Sequence, residues 1–255
     1  MKGKTIFLIA AILCVAPFVA ERLYAQSLKL MTYNVHNGVG LDRKRDHRRI
    51  AGIIAAESPD FVAIQEVDSA TARCGQRYVL GEIAEASAMH YVFAPAIAFD
   101  GGLYGIGLLS RQKPDKVTRL ALPGREEQRA LLIADFGDYA VACTHLSLTE
   151  ADALASTDII RREAAGCYPK PMILMGDFNS HPSSAVIDSL KRDFRIVSNM
   201  PVPTFPADSA TECLDYIMIS GPAPVQIKSG AVIDQRVASD HRPVVAEIEY
   251  GNIRP

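Results

Sequence analysis

The sequence predicts an α/β sandwich, two packed β-sheets with helices on the outside. Short β-type runs recur along the chain, stretches with helical spacing lie between some of them, and no repeat, low-complexity block or linker divides it. At 255 residues it suits one large domain with a sizeable core, and 49% hydrophobic against 22% charged residues excludes a disordered chain.

The apolar runs are, in order, "LKLMTYNV", "FVAIQEV", "YVFAPAIAF", "YGIGLLS", "ALLIADF", "YAVACTHL", "MILM", "LDYIMIS" and "PVVAEIEY". Among the helical stretches, "DHRRIAGIIAAE" puts Ile50, Ile53 and Ile54 on one face, and "TEADALASTDIIRREAA" and "SSAVIDSLKRDF" have similar spacing. Thr149 and Ser183 are the predicted N-caps. "GLYGIG" around Gly105 is glycine-rich, but its strand-like surroundings favour close strand packing over a nucleotide loop.

The first 25 residues read as a secretory signal peptide, with Lys2 and Lys4 ahead of an apolar stretch from Ile6 to Ala20 and small residues near Ala25. Cleavage near Ala25 leaves one domain over residues 27–255 and an exported, periplasmic or extracellular protein; an uncleaved membrane anchor is the second reading. Export would put Cys74, Cys143, Cys167 and Cys213 where disulfides are permitted, and their pairing stays open. Cys143, inside an apolar strand pattern, reads as a buried thiol. The absence of a CxxC spacing argues against structural zinc.

Asn34, Glu66, His145 and Asp177 fall at or just past the C-terminal ends of apolar runs, while Asp215, Asp240 and His241 fall at the starts of others. If neighbouring strands run in opposite directions, all seven can line one cleft at a shared rim. There is no serine nucleophile elbow, phosphate-binding P-loop or zinc helix. Carboxylates, amides and two histidines without a serine or thiol nucleophile suit metal-assisted attack by water on a phosphoester. One or two acids hold a hard cation, neutral Asn and His donate to phosphate oxygens, and one base activates water. In "LMGDFNS", Asp177 and Asn179 bring the acid and the amide together. The formal charge of −2 argues against a non-specific polyanion binder. The run "RKRDHRR", with Arg43, Lys44, Arg45, Arg48 and Arg49, reads either as a solvated helix start or as a small basic rim beside the cleft.

With "TYNVHNG", "QEVD", "YGIGLLSR", "CTHLS", "MGDFNS", "LDYIMIS" and "SDHRPV" in order between residues 32 and 245, the chain resembles the metal-dependent endonuclease/exonuclease/phosphatase superfamily, of deoxyribonuclease I-like fold. The resemblance implies a four-layer α/β/β/α sandwich of two mainly antiparallel sheets with outer helices, and Mg²⁺ or Mn²⁺ in a cleft at one rim. It implies Glu66 as principal metal ligand with Asn34 and Asp240 close to the metal. Asp177 would position or deprotonate water, Asn179 and His145 would hold phosphate oxygens, and His241, oriented by Asp215, would stabilise the transition state or act as base. Which of Asp177 and His241 is the base stays open. Ile106, His36 and Cys213 depart from the residues common in relatives and put substrate contacts in question.

The resulting expectation is an exported Mg²⁺-dependent phosphoesterase, a phosphodiesterase in the first instance, whose substrate is a nucleic acid, a phospholipid or another phosphodiester. It is expected to be monomeric, without an obligate protein partner. The alternative is an inactive phosphate- or nucleic-acid-binding module of the same fold, which the retention of Glu66, Asp177, Asn179, Asp240 and His241 disfavours. A dinuclear metallophosphatase would need D-x-H and G-N-H motifs that the chain lacks.

Overall fold

The computed structural model describes residues 24–198, 201–222 and 224–252. Most of the predicted signal peptide, residues 1–23, lies outside the described residues. The first sheet contains β1 (Tyr24–Asn34), β2 (Phe61–Ser69), β3 (His90–Phe99), β4 (Gly102–Ser110), β11 (Val225–Val232) and β12 (Val244–Asn252), in the order β11-β12-β1-β2-β4-β3. The second contains β5 (Lys116–Leu122), β6 (Arg129–Asp135), β7 (Ala140–His145), β8 (Met172–Asp177), β9 (Phe194–Ile196) and β10 (Asp215–Ser220), in the order β5-β6-β7-β8-β10-β9. Each sheet has one parallel pair, β1 with β2 and β7 with β8, and is otherwise antiparallel.

Parallel neighbours need a crossover, and helices supply both. Helix α1 (His47–Glu57) joins β1 to β2, and α3 (Glu150–Gly166) joins β7 to β8. α1 starts on Asp46, whose carboxylate accepts from Arg49 N, and buries Ile50 and Ile54 while Ile53 is half-buried. Together with α2 (Val79–Ala86) it covers the outer face of the first sheet, packing Ile50, Ile54, Leu80 and Ile83 on Met31, Tyr33, Val62 and Ile64. α3 and α4 (Ala185–Leu190) cover the second sheet, with Ile160, Val186 and Leu190 on Ala142, Leu174 and Met218. Between the sheets, Leu30, Ala63, Cys143, Met175, Ile217 and Ile248 form the central core. These layers make the four-layer α/β/β/α sandwich, and burial of the three apolar interfaces, at roughly 1.5–3 kcal/mol for each large aliphatic side chain, holds them together.

The structure differs from the sequence reading in its margins. β5, β9, β11 and α2 were not expected. β5 and β11 are edge strands whose mixed patterns, "KVTRLAL" and "VQIKSGAV", reflect half-exposed faces, and β11 carries a register shift between Ile227 and Ser229. β9 is three residues long, and α2 is a short helix interrupted by Gly81. The cap of α4 is Ser184, which accepts from Ile187 N, and not Ser183. Thr149 stands at the N-cap of α3 without capping it, because its hydroxyl donates to Glu126 instead. Gly105 sits in β4, where a β-carbon would meet Ala94 O at 2.2 Å, so the glycine-rich stretch is close strand packing. All four cysteines in the domain are free thiols; Cys143 is buried between the sheets, and burial pushes its thiol up to about 12. Among the described residues no helix is long and apolar enough to cross a membrane.

Candidate active site

The C-terminal ends of β1, β7 and β8 and the start of β10 meet at one rim. Register puts His145, Asp177 and Asp215 side by side, His145 opposite Asp177 across the parallel pair and Asp177 opposite Asp215 across the antiparallel one. The local sequence explains why Asp177 is presented there. Gly176 lets β8 approach the Thr144 backbone, and Phe178, fully buried, turns to the other face and packs edge-on against Tyr216 at 5.2 Å. Asn179 then takes a left-handed φ of 46°, with its backbone N–H donating to Asp177 Oδ1 at 2.9 Å.

The first sheet contributes the opposite wall. Asn34 ends β1, while Glu66 lies within β2 and not at its end. The pairing of β2 with β4 shifts between Ile64 and Val67, and Glu66 sits in this bulge with φ at 59°. A bulge re-aims one side chain out of the strand alternation, at a local backbone cost of order 1–3 kcal/mol for a non-glycine residue in this region. Ile106, in β4 beside the bulge, belongs to the inter-sheet core. The loop before β12 is tied down by Ser239 Oγ donating to Asn34 O at 2.7 Å, which delivers Asp240 and His241.

Asp177 is the hub. Its Oδ2 accepts from Asn34 Nδ2 at 3.0 Å and lies 3.5 Å from His241 Nε2 and 3.6 Å from His145 Nε2. Asn34 Nδ2 also donates to Glu66 Oε1 at 3.0 Å, and Asn179 Nδ2 donates to Leu146 O at 2.9 Å. His241 Nδ1 is 2.9 Å from Asp215 Oδ2, and its ring lies against Phe205 at 4.8 Å.

The two histidines are driven in opposite directions. Burial lowers His145 to about 4, with the Asp177 charge opposing and the Arg129 and His241 charges assisting, so it is neutral at pH 7. Burial would lower His241 too, but the charges of Asp215 and Asp177 and the Asp215 hydrogen bond outweigh it and raise the imidazole to about 10. Asp177 is raised by burial and by Asp215, against the pull of His241 and His145.

All eight predicted site residues therefore come together, directly or through one another. Glu66, His145, Asp177, Asn179, Asp240 and His241 line one cleft of about 480 Å³, with Asn34 and Asp215 behind them. Tyr104, Glu126, Glu127, Arg129, Phe205 and Glu212 also line it and were not singled out from sequence. Arg129, at the start of β6, is 5% exposed and lies between Glu126 at 3.1 Å and Glu127 at 2.9 Å. Glu126 also accepts from Ser147 Oγ and Leu148 N, and these hydrogen bonds and Arg129 hold its carboxyl down at about 2 despite burial. The signal that could have found this group is the one used for Asp215 and Asp240, charged residues just before an apolar run, here "REEQR" before "ALLIADF".

The basic run does not line the cleft. Arg49 pairs with Asp42 at 2.8 Å and Arg45 donates to Asn37 at 2.7 Å, so both hold their own loop together. His36 bonds Val39 O and lies 3.9 Å from Asp240.

Two groups of side chains offer metal-ligand chemistry. Asp177, Asp215 and His241 have ligand atoms within 4.8 Å of one another. Both ring nitrogens of His241 face carboxylates and its raised proton affinity keeps it cationic, so this trio is a hydrogen-bonded relay and not a metal site. The carboxylates of Glu66 and Asp240, lining the same cleft, are hard oxygen donors that fit Mg²⁺ or Mn²⁺. Asn34, as oriented, turns its NH₂ to Glu66 and its oxygen to His36 N, so it holds Glu66 in place more directly than it offers a ligand oxygen.

A carboxylate-and-histidine cleft at one rim of a four-layer sandwich defines a class of phosphoester-binding site. The model of the Endonuclease/Exonuclease/phosphatase family matches residues 31–241, and the chain belongs to that family, whose members are phosphoester hydrolases. A cytolethal distending toxin homolog of Salmonella typhi is 27% identical over 163 residues, which are 61% of this chain and 59% of the relative, so the chain spans about three fifths of that protein's length. Among solved structures, an endonuclease/exonuclease/phosphatase from Beutenbergia cavernae superposes with a TM-score of 0.74 at 22% identity, over 89% of this chain and 72% of the other. A mannosyl-6-phosphatase of Bacteroides thetaiotaomicron does so with a TM-score of 0.70 at 18% identity, over 87% of this chain and 99% of the other. At such identities the superpositions establish the fold.

Proposed function

We propose that the protein is an exported, divalent-cation-dependent phosphodiesterase that cleaves its substrate by direct attack of water. The carrying observation is the pairing of a buried Asp177, raised in proton affinity, with a cationic His241 in the same cleft. A histidine already protonated at neutral pH is a poor base and a good donor. Asp177 is therefore the base that takes the water proton, and His241, kept charged by Asp215, donates to the phosphoryl oxygens as negative charge develops on them. Neutral His145 and the second amide hydrogen of Asn179 orient the phosphate without repelling it. Glu66 and Asp240 would hold the cation, which when bound supplies Lewis-acid polarisation of the phosphoryl group.

A diester carries one negative charge where a monoester carries up to two, and the cleft is lined by six carboxylates against one arginine, which favours the diester. Export is supported by Lys2 and Lys4 ahead of the Ile6–Ala20 apolar stretch. The test is bis(4-nitrophenyl) phosphate against 4-nitrophenyl phosphate, with EDTA, Mg²⁺ or Mn²⁺. Diester hydrolysis restored by the cation and lost in Asp177→Asn is expected. Full activity in EDTA, or a higher kcat/KM for the monoester, would sink the proposal.

A further inference from the structure

The wall facing the catalytic group is built differently from a polyanion-binding groove. Six acids line the cleft, Glu66, Glu126, Glu127, Asp177, Glu212 and Asp240, and Arg129 is the one lysine or arginine among the lining residues. That arginine is already matched, bridging Glu126 and Glu127. Proteins that hold an extended nucleic acid strand combine a positive groove along the backbone with a series of aromatic faces. Here the aromatic lining residues are Tyr104, which hydrogen-bonds Glu66, and Phe205, which lies against His241, so both serve the catalytic group.

The same wall has unmet hydrogen-bonding capacity. Glu127 accepts from Arg129 through Oε1, its other oxygen takes no hydrogen bond from the described residues, and its side chain is 28% exposed. Arg129 is 95% enclosed and leaves Nε without an acceptor. A buried or half-buried carboxylate oxygen without a donor selects for a ligand that brings one, and a hydroxyl, donor and acceptor together, answers both residues. A space of about 480 Å³ suits a compact molecule.

Resting on the phosphodiesterase reading, we propose that Glu127 is a specificity-determining residue that selects compact phosphodiesters carrying hydroxyl groups on the moiety beside the phosphate, and disfavours polynucleotides. Its carboxylate accepts a substrate hydroxyl, and its negative charge repels the flanking phosphates of a strand.

The test keeps the leaving group constant. 4-Nitrophenyl 2,3-dihydroxypropyl phosphate is compared with 4-nitrophenyl propyl phosphate in the wild-type protein, Glu127→Leu and Glu127→Gln with Mg²⁺, and a 20-nucleotide DNA strand is added as competing inhibitor. The wild-type protein is expected to favour the diol ester by about tenfold or more in kcat/KM, the scale of one hydrogen bond to a charged group, and Glu127→Leu to bring the ratio close to unity. Because the ratio is taken within one preparation, partial loss of folded protein does not move it. Glu127→Gln is expected to tighten DNA inhibition about fivefold, the scale of one nearby charge. A wild-type ratio near unity, a ratio unchanged in Glu127→Leu, or DNA inhibition equal in the wild type and Glu127→Gln overturns the proposal. No turnover of either ester by the wild type overturns the phosphodiesterase reading beneath it.

Discussion

Asp215 Oδ2 lies 2.9 Å from His241 Nδ1, and that contact determines what the opposite ring nitrogen can do. With Nδ1 committed to a buried carboxylate, Nε2 is left facing Asp177 at 3.5 Å, and the ring holds its proton far above the ordinary histidine range. Removing the Asp215 charge lowers the pKa of His241, so the alkaline limb of the pH–rate profile should move to lower pH in Asp215→Asn. kcat should fall less than in His241→Ala or Asp177→Asn, which are each expected to lose at least ~10². A full-rate His241→Ala enzyme would show that the catalytic group lies elsewhere.

The same electrostatics shape stability in the metal-free protein. His145 is held at about 4 when folded, below the ~6.5 of an unfolded histidine. The unfolded chain therefore binds more protons in that interval, and stability falls as pH drops from about 6.5 towards 4. His241, raised to about 10, has the opposite sign: its contribution is complete below ~6.5 and is lost as pH rises towards 10. Asp177, raised by burial, opposes His145 at the acid end. Urea midpoints of the wild type should fall on the alkaline side of about 6.5, and His145→Asn should gain relative stability in acid. A flat alkaline limb would contradict the cationic His241.

How much of this was readable in sequence depended on what each feature leaves in the residue pattern. Asn34, His145 and Asp177 interrupt long apolar runs, so strand ends and polar residues coincide in print as they do in space. Glu66 was found for the right chemistry and the wrong geometry, since an extra residue in a strand looks like ordinary polar spacing until the partner strand is known. Edge strands β5 and β11 were hidden because an exposed face needs no apolar alternation. Glu126, Glu127 and Arg129 were passed over because a charged loop before a strand usually faces solvent, and only the antiparallel pairing of β6 with β7 brings that loop to the rim.

Glu66 is held by Asn34 at a bulge and shares the cleft with Asp240, which makes it the main carboxylate for a cation. Glu66→Gln should retain the fold and raise the Mg²⁺ concentration needed for half-maximal activity by about tenfold or more, with a matching loss of Mn²⁺ heat in calorimetry. Asp240→Asn should shift both readouts in the same direction. Unchanged cation dependence in both variants would place the metal elsewhere, with the Asp177, Asp215 and His241 relay as the next site to test.

Water attacking phosphorus directly leaves no group on the enzyme. The cleft supports that route, since none of its lining residues is a serine, threonine or cysteine. Hydrolysis in ¹⁸O-labelled water should put the label in the phosphate product within a single turnover. A phosphorylated protein recovered by acid quench would instead require a covalent step, with a histidine as the acceptor.

Gly176 connects stability to catalysis. A β-carbon there would stand 2.2 Å from Thr144 O, so β7 and β8 could not keep their spacing, and the next residue along β8 is Asp177, opposite His145. Gly176→Ala should cost about 1–3 kcal/mol, the usual scale for forcing an atom into a packed interior. It should also lower kcat, because Asp177 depends on sub-ångström placement against both histidines. Gly52, on the exposed side of α1, is the control: a β-carbon there meets nothing within 4 Å. Gly52→Ala should raise stability by roughly 0.5–1 kcal/mol through helix propensity and leave kcat unchanged. Urea midpoints and kcat measured on both variants separate the two effects, and a Gly176→Ala enzyme with wild-type stability and rate would refute the close β7–β8 approach as the device that positions Asp177.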